Sequence, residues 1–423
     1  MKTRAVRIHG KDDLRLDEFE LPPMGDDQIL AEVVSDSVCM SSYKAAKQGA
    51  DHKRVPDDVA DRPTIIGHEF AGRILDVGSK WRERFAPEQK FAIQPALNYK
   101  GSLDAPGYSF RTIGGDATHI VIPHEVMESD CLLPYKGPGF FPASLSEPMS
   151  CIVGAFHANY HHARPGFYEH DMGVRPGGNM AILAGAGPMG LGAVDYALHC
   201  DRKPRLLVVT DIDEVRLRRA ESFFPPAEAQ EKDGVRLLFV NTKDVADPVA
   251  HLLALTDDGA GYDDVFVMAP VRPVVECADG ILARDGCLNF FAGPTDPAFK
   301  AEFNFYDVHY GSTHIVGTSG GNTDDMIEAL DMMSRGLVNP AGMVTHVGGL
   351  DAVIETTLRL PEIPGGKKLI YTGIEMPLTA IEDFAAKGAS DPLFKELAAI
   401  ADRHNGLWSV EAETRLLEVK SGG

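Results

Sequence analysis

The chain has 423 residues, of which 44% are hydrophobic and 24% are charged, values typical of a globular protein long enough for two domains. Its formal net charge of −21 argues against nucleic acid or an anionic membrane surface as the main partner. The six cysteines form no C-x-x-C pair, the N-terminal residues contain no apolar signal core, and no apolar run is long enough to span a bilayer. We therefore expect a cytoplasmic protein with reduced cysteines.

Residues 1–150 predict mainly β structure. Short apolar runs, several of which alternate with polar residues, are separated by turn signals such as Pro22-Pro23 and Gly114-Gly115. These runs are 5–8, 28–34, 70–77, 90–93 and 118–122. The pattern indicates a small barrel-like domain.

Residues 151–320 predict a different architecture, in which strands alternate with helices. Apolar runs that predict strands lie at 180–184, 206–210, 236–241, 264–268, 287–292 and 314–317. Helical patterns such as 214–222 and 274–282 lie between them. This alternation predicts an α/β fold with a doubly wound parallel sheet.

Residues 321–423 begin with a helical pattern at 324–335 and end in two further predicted helices. Asp391-Pro392 provides an N-cap and a first turn for a helix at 393–402, and Asn405-Gly406 provides its stop. A second short helix is predicted at 409–419. No chemistry is assigned to these last fifty residues.

A glycine-rich loop follows the first predicted strand of the parallel sheet. Gly185, Gly187 and Gly190 form G-x-G-x-x-G, and Pro188 suits the first turn of the helix that follows. Asp211 ends the second strand, where a carboxylate would bind the ribose hydroxyls of NAD. We interpret this as a dinucleotide site, the alternatives being an ordinary strand–turn–helix or a methyltransferase-type loop.

Four residues of the first domain could hold a metal ion. Cys39, His68, Glu69 and Glu147 offer a thiolate, an imidazole and two carboxylates, and three such ligands leave a position open for water or substrate on a catalytic zinc. Their spacing does not show that they converge. Each alone also fits a buried small side chain, a core histidine or a surface carboxylate.

These motifs together resemble the zinc-dependent medium-chain dehydrogenase/reductase superfamily, in its polyol dehydrogenase branch. The resemblance lies in Gly67-His-Glu-Phe-Ala-Gly72, Cys39 with Ser41, Glu147-Pro148 and Gly185-Ala-Gly-Pro-Met-Gly190 with Asp211, and it extends from residue 1 to about 372. It implies a GroES-like β-barrel catalytic domain, a Rossmann domain, and a return to the catalytic domain after residue 320 before a helical C-terminal extension.

The resemblance also implies roles for individual residues. Cys39 and His68 would bind zinc, and Glu69 and Glu147 would complete the site, one of them directly. Ser41 would hydrogen-bond the substrate alcohol. Lys44 stands where many relatives have a histidine that relays the proton; it either takes that role, contacts the nicotinamide ribose, or is an ordinary surface lysine.

Metal and cofactor expectations follow from the same resemblance. Many family members bind a structural zinc through four closely spaced cysteines, but residues 98–114 contain none, so we expect one catalytic zinc per chain. The residues expected to bind the dinucleotide are Gly185, Gly187, Pro188, Met189, Gly190, Asp211 and Arg216. Because the Asp211 carboxylate would repel a 2′-phosphate and Arg216 would soften that repulsion, NAD(H) is preferred and NADP(H) is possible.

The branch implies hydride transfer between NAD(P)(H) and a polyol phosphate or ketose phosphate, in a homodimer or homotetramer. In so acidic a chain, the cluster His52-Lys53-Arg54 is the candidate phosphate site, and the alternative is an exposed basic loop. Competing functions are a dehydrogenase of an unphosphorylated polyol or secondary alcohol, and an NADH-binding regulatory protein.

Four histidines after Gly154 raise the question of a second metal site. They are His157, His161, His162 and His170, and the first two are four residues apart on a plausible helix. No acidic partner is evident in the sequence, so no metal site is assigned to them.

Overall fold

The computed structural model describes residues 1–164 and 166–421. The strands in these ranges, in chain order, are β1 (Lys2–Gly10), β2 (Asp13–Glu20), β3 (Ile29–Val38), β4 (Thr64–Ile65), β5 (Phe70–Val77), β6 (Lys90–Ile93), β7 (His119–Ile122), β8 (Leu132–Pro134), β9 (Tyr160–His162), β10 (His170–Met172), β11 (Asn179–Leu183), β12 (Leu206–Asp211), β13 (Arg236–Asn241), β14 (Tyr262–Val267), β15 (Leu282–Phe290), β16 (His314–Val316), β17 (Val344–Gly349), β18 (Lys367–Tyr371) and β19 (Thr379–Ala380).

The longer helices are α1 (Met40–Gln48), α2 (Ser146–Ala158), α3 (Pro188–His199), α4 (Glu214–Phe223), α5 (Pro248–Leu253), α6 (Arg272–Gly280), α7 (Phe305–Tyr310), α8 (Thr323–Ser334), α9 (Val353–Leu358), α10 (Pro392–Arg403) and α11 (Val410–Ser421). Shorter helical turns lie at His124–Glu128, Phe141–Ser144, Pro226–Glu228 and Phe384–Lys387. No helix within the described ranges has both the length and the hydropathy needed to cross a bilayer.

The chain divides into two compact units. The first unit comprises Met1–Pro148, Asn322–Gly336 and Val344–Gly423, and the second comprises Met149–Gly321 and Leu337–Met343. The chain therefore returns to the first unit at Asn322, passes once more through the second unit at Leu337–Met343, and then stays in the first.

The first unit is organised around an eight-stranded sheet in the order β19-β17-β18-β3-β5-β6-β8, with β7 also paired to β3. β3 is the longest of these strands, and β18 pairs with it antiparallel from Lys368–Val38 to Tyr371–Ser35. A three-stranded sheet, β2-β1-β4, completes the unit. Both sheets contribute buried apolar side chains, such as Ile8 of β1 and Ile29 and Phe70 of the larger sheet, all about 1% exposed or less. The predicted GroES-like barrel is confirmed.

The second unit is a six-stranded parallel sheet in the order β13-β12-β11-β14-β15-β16. The order reverses at β11, which lies between β12 and β14, as in a Rossmann fold. The Rossmann prediction is confirmed, and each predicted apolar run overlaps a strand. β15 begins at Leu282 rather than at 287, because the chain bulges there before it pairs with β14 again.

One expectation about the histidines is wrong. Helix α2 ends at Ala158, so His157 and His161 do not share a helix. His161 and His162 lie instead in β9, which forms an antiparallel hairpin with β10, and His162 pairs with His170. A strand of Tyr-His-His lacks the apolar pattern that would have predicted it.

The C-terminal helices α10 and α11 belong to the first unit and are anchored by a buried carboxylate. Glu413, 1% exposed, accepts hydrogen bonds from the backbone N–H groups of Phe140 (2.7 Å) and Phe141 (2.8 Å) and from the Tyr371 hydroxyl (2.9 Å). Trp408 donates its indole N–H to the same Tyr371 oxygen at 2.8 Å. The extension thus caps a helical turn of the barrel unit and contacts β18.

Candidate functional site

The first unit brings three of the four predicted metal ligands together. Cys39 follows β3 and is the N-cap residue of α1, while His68 and Glu69 directly precede β5, which pairs with β3. Ligand atoms of Cys39, His68 and Glu69 all lie within 4.8 Å of one another. A thiolate, an imidazole and a carboxylate at this separation suit a zinc ion, so the donor set fits the metal that the sequence predicted.

His68 is oriented by two hydroxyl groups. Its Nδ1 lies 3.2 Å from Ser42 Oγ and 3.0 Å from the Tyr108 hydroxyl. The Tyr108 hydroxyl is also 3.3 Å from Nε2, and this second ring nitrogen lies on the side of Ser41, whose Oγ is 3.4 Å from Nε2 and 3.1 Å from Cys39 Sγ. A second hydrogen bond of this kind is what fixes a metal-binding imidazole in place.

Glu69 is paired with a buried lysine from the last part of the barrel. Lys367 Nζ lies 2.6 Å from both carboxylate oxygens, and the two side chains are 10% and 1% exposed. Burial alone would raise the pKa of Glu69, but the Lys367 ammonium outweighs it and holds that pKa below its usual value. Glu69 is therefore an ionised carboxylate that is already neutralised by Lys367.

The electrostatics of the group keep Cys39 and His68 uncharged in the absence of an ion. Burial, reinforced by the Glu69 charge, raises the pKa of the Cys39 thiol to about 12. Burial lowers the pKa of His68 to about 4. His68 is thus ready to donate a lone pair, whereas Cys39 becomes a ligand only when a cation displaces its proton.

Glu147 and Lys44 were also predicted for this site, but neither belongs to the group of three ligands. Glu147 stands in the first turn of α2, outside the trio within 4.8 Å of one another, although its charge contributes to raising the pKa of Cys39 after burial and Glu69. Lys44 is half-buried on α1, and its charge is one of those that lower the pKa of His52 after burial.

In the predicted phosphate site His52-Lys53-Arg54, the first and last residues contact Tyr108 and the middle one does not. His52 stacks on Tyr108 with ring centroids 5.6 Å apart, and the Arg54 guanidinium lies 5.8 Å from the centre of the same ring. Lys53 is exposed. Arg62 and Arg111 both pair with Asp58, whereas among the described residues no carboxylate lies within ion-pair distance of Arg54.

Tyr108 connects this cluster to the metal-ligand group. The centre of its ring is 5.0 Å from that of the His68 ring and 5.6 Å from that of the His52 ring, with which it stacks. The Arg54 charge is close enough to act on the pKa values of both Tyr108 and His68, in each case after burial as the main cause. A bound anion at Arg54 would therefore lie one aromatic ring away from His68.

The glycine loop of the second unit has the geometry of a dinucleotide site. A side chain at Gly190 would lie 2.1 Å from the Gly185 carbonyl oxygen, so the helix packs on the loop only without one. A side chain at Gly187, the N-cap residue of α3, would meet nothing within 4 Å. That open space lies at the N-terminus of α3, where free N–H groups bind phosphate, beside Pro188 and the half-exposed Met189.

Asp211 is held at the end of β12 by the same loop. Its Oδ2 accepts from Ala186 N–H at 3.2 Å, and its Oδ1 accepts from Ile212 N–H at 2.8 Å. Arg216 does not contact it; the Arg216 guanidinium is 3.6 Å from Asp213 and 53% exposed. The carboxylate is thus fixed beside the phosphate loop, and Arg216 remains in the solvent-exposed first turn of α4.

Sequence reasoning missed three residues of the metal-ligand group, namely Ser42, Tyr108 and Lys367. Ser42 could have been found, because it lies on the helix turn that Cys39 begins. Tyr108 and Lys367 carry no such signal. Tyr108 comes from a Gly- and Pro-rich loop, and Lys367 lies 298 residues beyond its partner Glu69.

The zinc-binding dehydrogenase family profile matches residues 188–335. The chain is 53% identical to the L-sorbose 1-phosphate reductase of Klebsiella pneumoniae, over 98% of this chain and 97% of that protein. It is 52% identical to the mannitol-1-phosphate 5-dehydrogenase of Aliivibrio fischeri, over 99% of this chain and 98% of that protein. The crystal structure of 2R,3R-butanediol dehydrogenase from Bacillus subtilis shares the fold, with a TM-score of 0.69 at 19% identity, covering 88% of this chain and 99% of that one.

These two relatives match nearly the whole chain at more than 50% identity, so the family assignment applies to both units. The chain is an oxidoreductase and belongs to the zinc-binding dehydrogenases of the medium-chain dehydrogenase/reductase superfamily.

Proposed function

We propose that this protein is a zinc-dependent polyol phosphate dehydrogenase that uses NAD(H) to reduce a ketose phosphate, with L-sorbose 1-phosphate as the leading substrate and sorbitol 6-phosphate as its product. The observation that carries the proposal is the position of Arg54 and His52. Both contact the Tyr108 ring, which also lies against the His68 ring, and Arg54 has no carboxylate partner among the described residues. An unpaired arginine beside a metal-ligand group, in a chain of net charge −21, suits an anionic substrate.

Cys39 and His68 are the proposed zinc ligands, with Glu69 and Glu147 as the carboxylates that complete the site. Lys367 already occupies both oxygens of Glu69, so Glu69 binds the ion directly only by releasing that lysine. Bound zinc supplies a Lewis acid that polarises the carbonyl of the substrate. Ser42 keeps His68 in the required orientation throughout.

Ser41 is the proposed proton donor to the substrate oxygen. Its hydroxyl lies 3.1 Å from Cys39 Sγ and 3.4 Å from His68 Nε2, which supports a contact with an oxygen that binds at this group. Lys44, three residues further along α1 and half-buried, is the proposed relay between Ser41 and solvent. The hydride itself comes from the nicotinamide held by the second unit.

The preference for L-sorbose 1-phosphate over a ketose 6-phosphate rests on the relative that is 53% identical to this chain and is named as an L-sorbose 1-phosphate reductase. In a ketose 1-phosphate the phosphate is on the carbon next to the carbonyl, whereas in a ketose 6-phosphate it is four carbons away. Both are to be compared directly.

The proposed cofactor is NAD(H), because Asp211 is an acidic residue fixed beside the phosphate loop. A carboxylate there accepts the ribose hydroxyls of NAD and repels the 2′-phosphate of NADP. Arg216, which is directed toward Asp213, softens that repulsion without removing it.

The phosphate assignment is tested with Arg54→Ala, with L-sorbose 1-phosphate and free L-sorbose as paired substrates. We expect KM for the phosphorylated sugar to rise at least about tenfold, equivalent to about 1.4 kcal/mol, and KM for free sorbose to stay within about twofold. Arg62→Ala is the matched control, since Arg62 is an exposed arginine of the same segment that pairs with Asp58. An equal change for both sugars in Arg54→Ala contradicts the assignment.

A further inference from the structure

A second group of metal-ligating side chains lies in the second unit, far along the chain from Cys39 and His68. His162 ends β9 of the hairpin, Asp285 lies in β15, and His314 begins β16. One ligand atom from each lies within 4.8 Å of the other two. The acidic partner that the histidines lacked in the sequence is thus supplied by a strand more than a hundred residues away.

The two imidazoles converge on one carboxylate oxygen of Asp285. Asp285 Oδ1 lies 2.6 Å from His162 Nδ1 and 2.8 Å from His314 Nε2. The other oxygen, Oδ2, is bound by the Arg175 guanidinium at 2.6 Å. Arg175 therefore holds the carboxylate in a fixed orientation in which Oδ1 faces both imidazoles.

The strand geometry is what brings Asp285 to this position. The pairing of β14 with β15 shifts register between Tyr262 and Asp264, so residues 283–286 bulge from the sheet. Asp285 has a φ of 60°, in the left-handed region that few residues other than glycine adopt. A bulge that redirects one side chain is a common feature next to binding sites.

The surroundings suit a bound cation. The side chains of His162, Asp285 and His314 are 22%, 16% and 10% exposed, so the group is partly buried but accessible. A cavity of about 450 Å³ adjoins it, lined in part by His162 and His170. The His170 ring is 5.7 Å from the His162 ring and supplies a further imidazole within reach.

We propose that His162 Nδ1, His314 Nε2 and Asp285 Oδ1 form a second metal site that binds one divalent transition cation such as Zn²⁺, with His170 or water as the fourth ligand. Two imidazoles and one carboxylate are a common ligand set for such ions, and they leave one position open. The ion would tie the β9–β10 hairpin to the edge of the parallel sheet.

Little movement is required to accept the ion. Ligand atoms around tetrahedral zinc lie about 3.4 Å apart, so the two imidazoles must move back from Oδ1 by less than about 1 Å. Each ring transfers its proton from the ligating nitrogen to the other one, and the ion takes the place of the two protons.

This site is separate from the proposed catalytic zinc site. It is also separate from the structural zinc site of many family members, for which residues 98–114 of this chain offer no cysteine. It belongs to the second unit, whereas both of the others are properties of the first. It adds one ion to the single zinc per chain that the sequence predicted.

The test is the zinc content of the untagged full-length protein after dialysis against micromolar Zn²⁺. We expect two equivalents per chain in the wild type and one in His162→Ala/His314→Ala. His251→Ala removes an exposed histidine of the same unit and should retain both equivalents. Asp285→Asn keeps the left-handed backbone accessible and should weaken binding of the second equivalent at least about tenfold.

The two proposed sites are tested independently by this measurement. Cys39→Ser/His68→Ala should lose the other equivalent and retain the one held by His162 and His314. Zinc content that is unchanged in His162→Ala/His314→Ala overturns the second site, whatever happens in Cys39→Ser/His68→Ala. The comparison of the wild type with His162→Ala/His314→Ala does not depend on Cys39→Ser/His68→Ala. It therefore tests the second site even if the Cys39→Ser/His68→Ala variant fails to fold.

Discussion

The Lys367–Glu69 pair makes a strong prediction about stability. Lys367→Met replaces the ammonium by an apolar side chain of similar length and leaves the Glu69 carboxylate buried without a counter-charge. The attraction over 2.6 Å amounts to about 6 kcal/mol at an effective dielectric of about 20. Part of this only offsets the cost of burying both charges, so we expect metal-free Lys367→Met to lose about 3–5 kcal/mol of unfolding free energy.

The pH dependence of this loss identifies its cause. In the wild type the Glu69 pKa is lowered, so the stabilisation by the pair is present above the unfolded pKa of about 4.3 and is lost as pH falls through the folded value. Without Lys367, burial raises the pKa of Glu69, and the penalty fades as Glu69 becomes protonated. The difference between the two proteins should therefore shrink from about pH 8 to about pH 5.

Urea unfolding of the metal-free proteins, followed at both pH values, measures the effect. Lys367→Met/Glu69→Gln should recover at least half of the loss, because it removes the unpaired charge. Lys2→Met, which breaks the exposed pair with Glu18, is the matched control and should leave the free energy of unfolding almost unchanged. A loss in Lys367→Met below about 1 kcal/mol, or one that is equal at both pH values, refutes the reasoning.

Three further predictions concern the metal ligands, the extension and the cofactor. The pKa of Cys39 is raised to about 12 and that of His68 is lowered to about 4, so zinc binding at neutral pH should release about one proton, which comes from the Cys39 thiol. Calorimetry in buffers of different ionisation enthalpy measures this release. A release near zero argues against Cys39 as a ligand. Glu413→Ala should cost about 2–4 kcal/mol because three buried donors lose their acceptor, whereas exposed Glu418→Ala should stay within about 0.5 kcal/mol in the same denaturation assay. Asp211→Ala should shift the ratio of kcat/KM for NADH over NADPH toward NADPH by at least about tenfold; an unchanged ratio would show that Asp211 does not set the preference.

The parts of the fold that follow from local sequence were predictable. The strands of the parallel sheet are continuous apolar runs, and the loop from Gly185 to Gly190 needs glycine at Gly190 because of the 2.1 Å approach to the Gly185 carbonyl. Asp391 caps α10 as predicted, accepting a hydrogen bond from Leu393 N–H. In each case the signal lies within one turn or one strand.

What escaped prediction depends on contacts between distant residues. Lys367 looks like a surface lysine in sequence, and it is buried because Glu69 neutralises it. The start of β15 was misjudged because Arg284-Asp285-Gly286 resembles a turn, whereas it is a bulge that pairs again with β14 at Cys287. Nothing in the sequence near His162 or Asp285 indicated that these two side chains meet, because they are 123 residues apart.

The most direct test of the proposed function is steady-state NADH oxidation with L-sorbose 1-phosphate, a ketose 6-phosphate and free L-sorbose, on protein whose zinc content is measured in the same sample. We predict that kcat/KM for L-sorbose 1-phosphate exceeds that for free sorbose at least about a hundredfold, and that Cys39→Ser loses both the catalytic equivalent of zinc and turnover. Equal kcat/KM values for the phosphorylated and free sugars, or full activity in Cys39→Ser protein that lacks that zinc, would contradict the proposal.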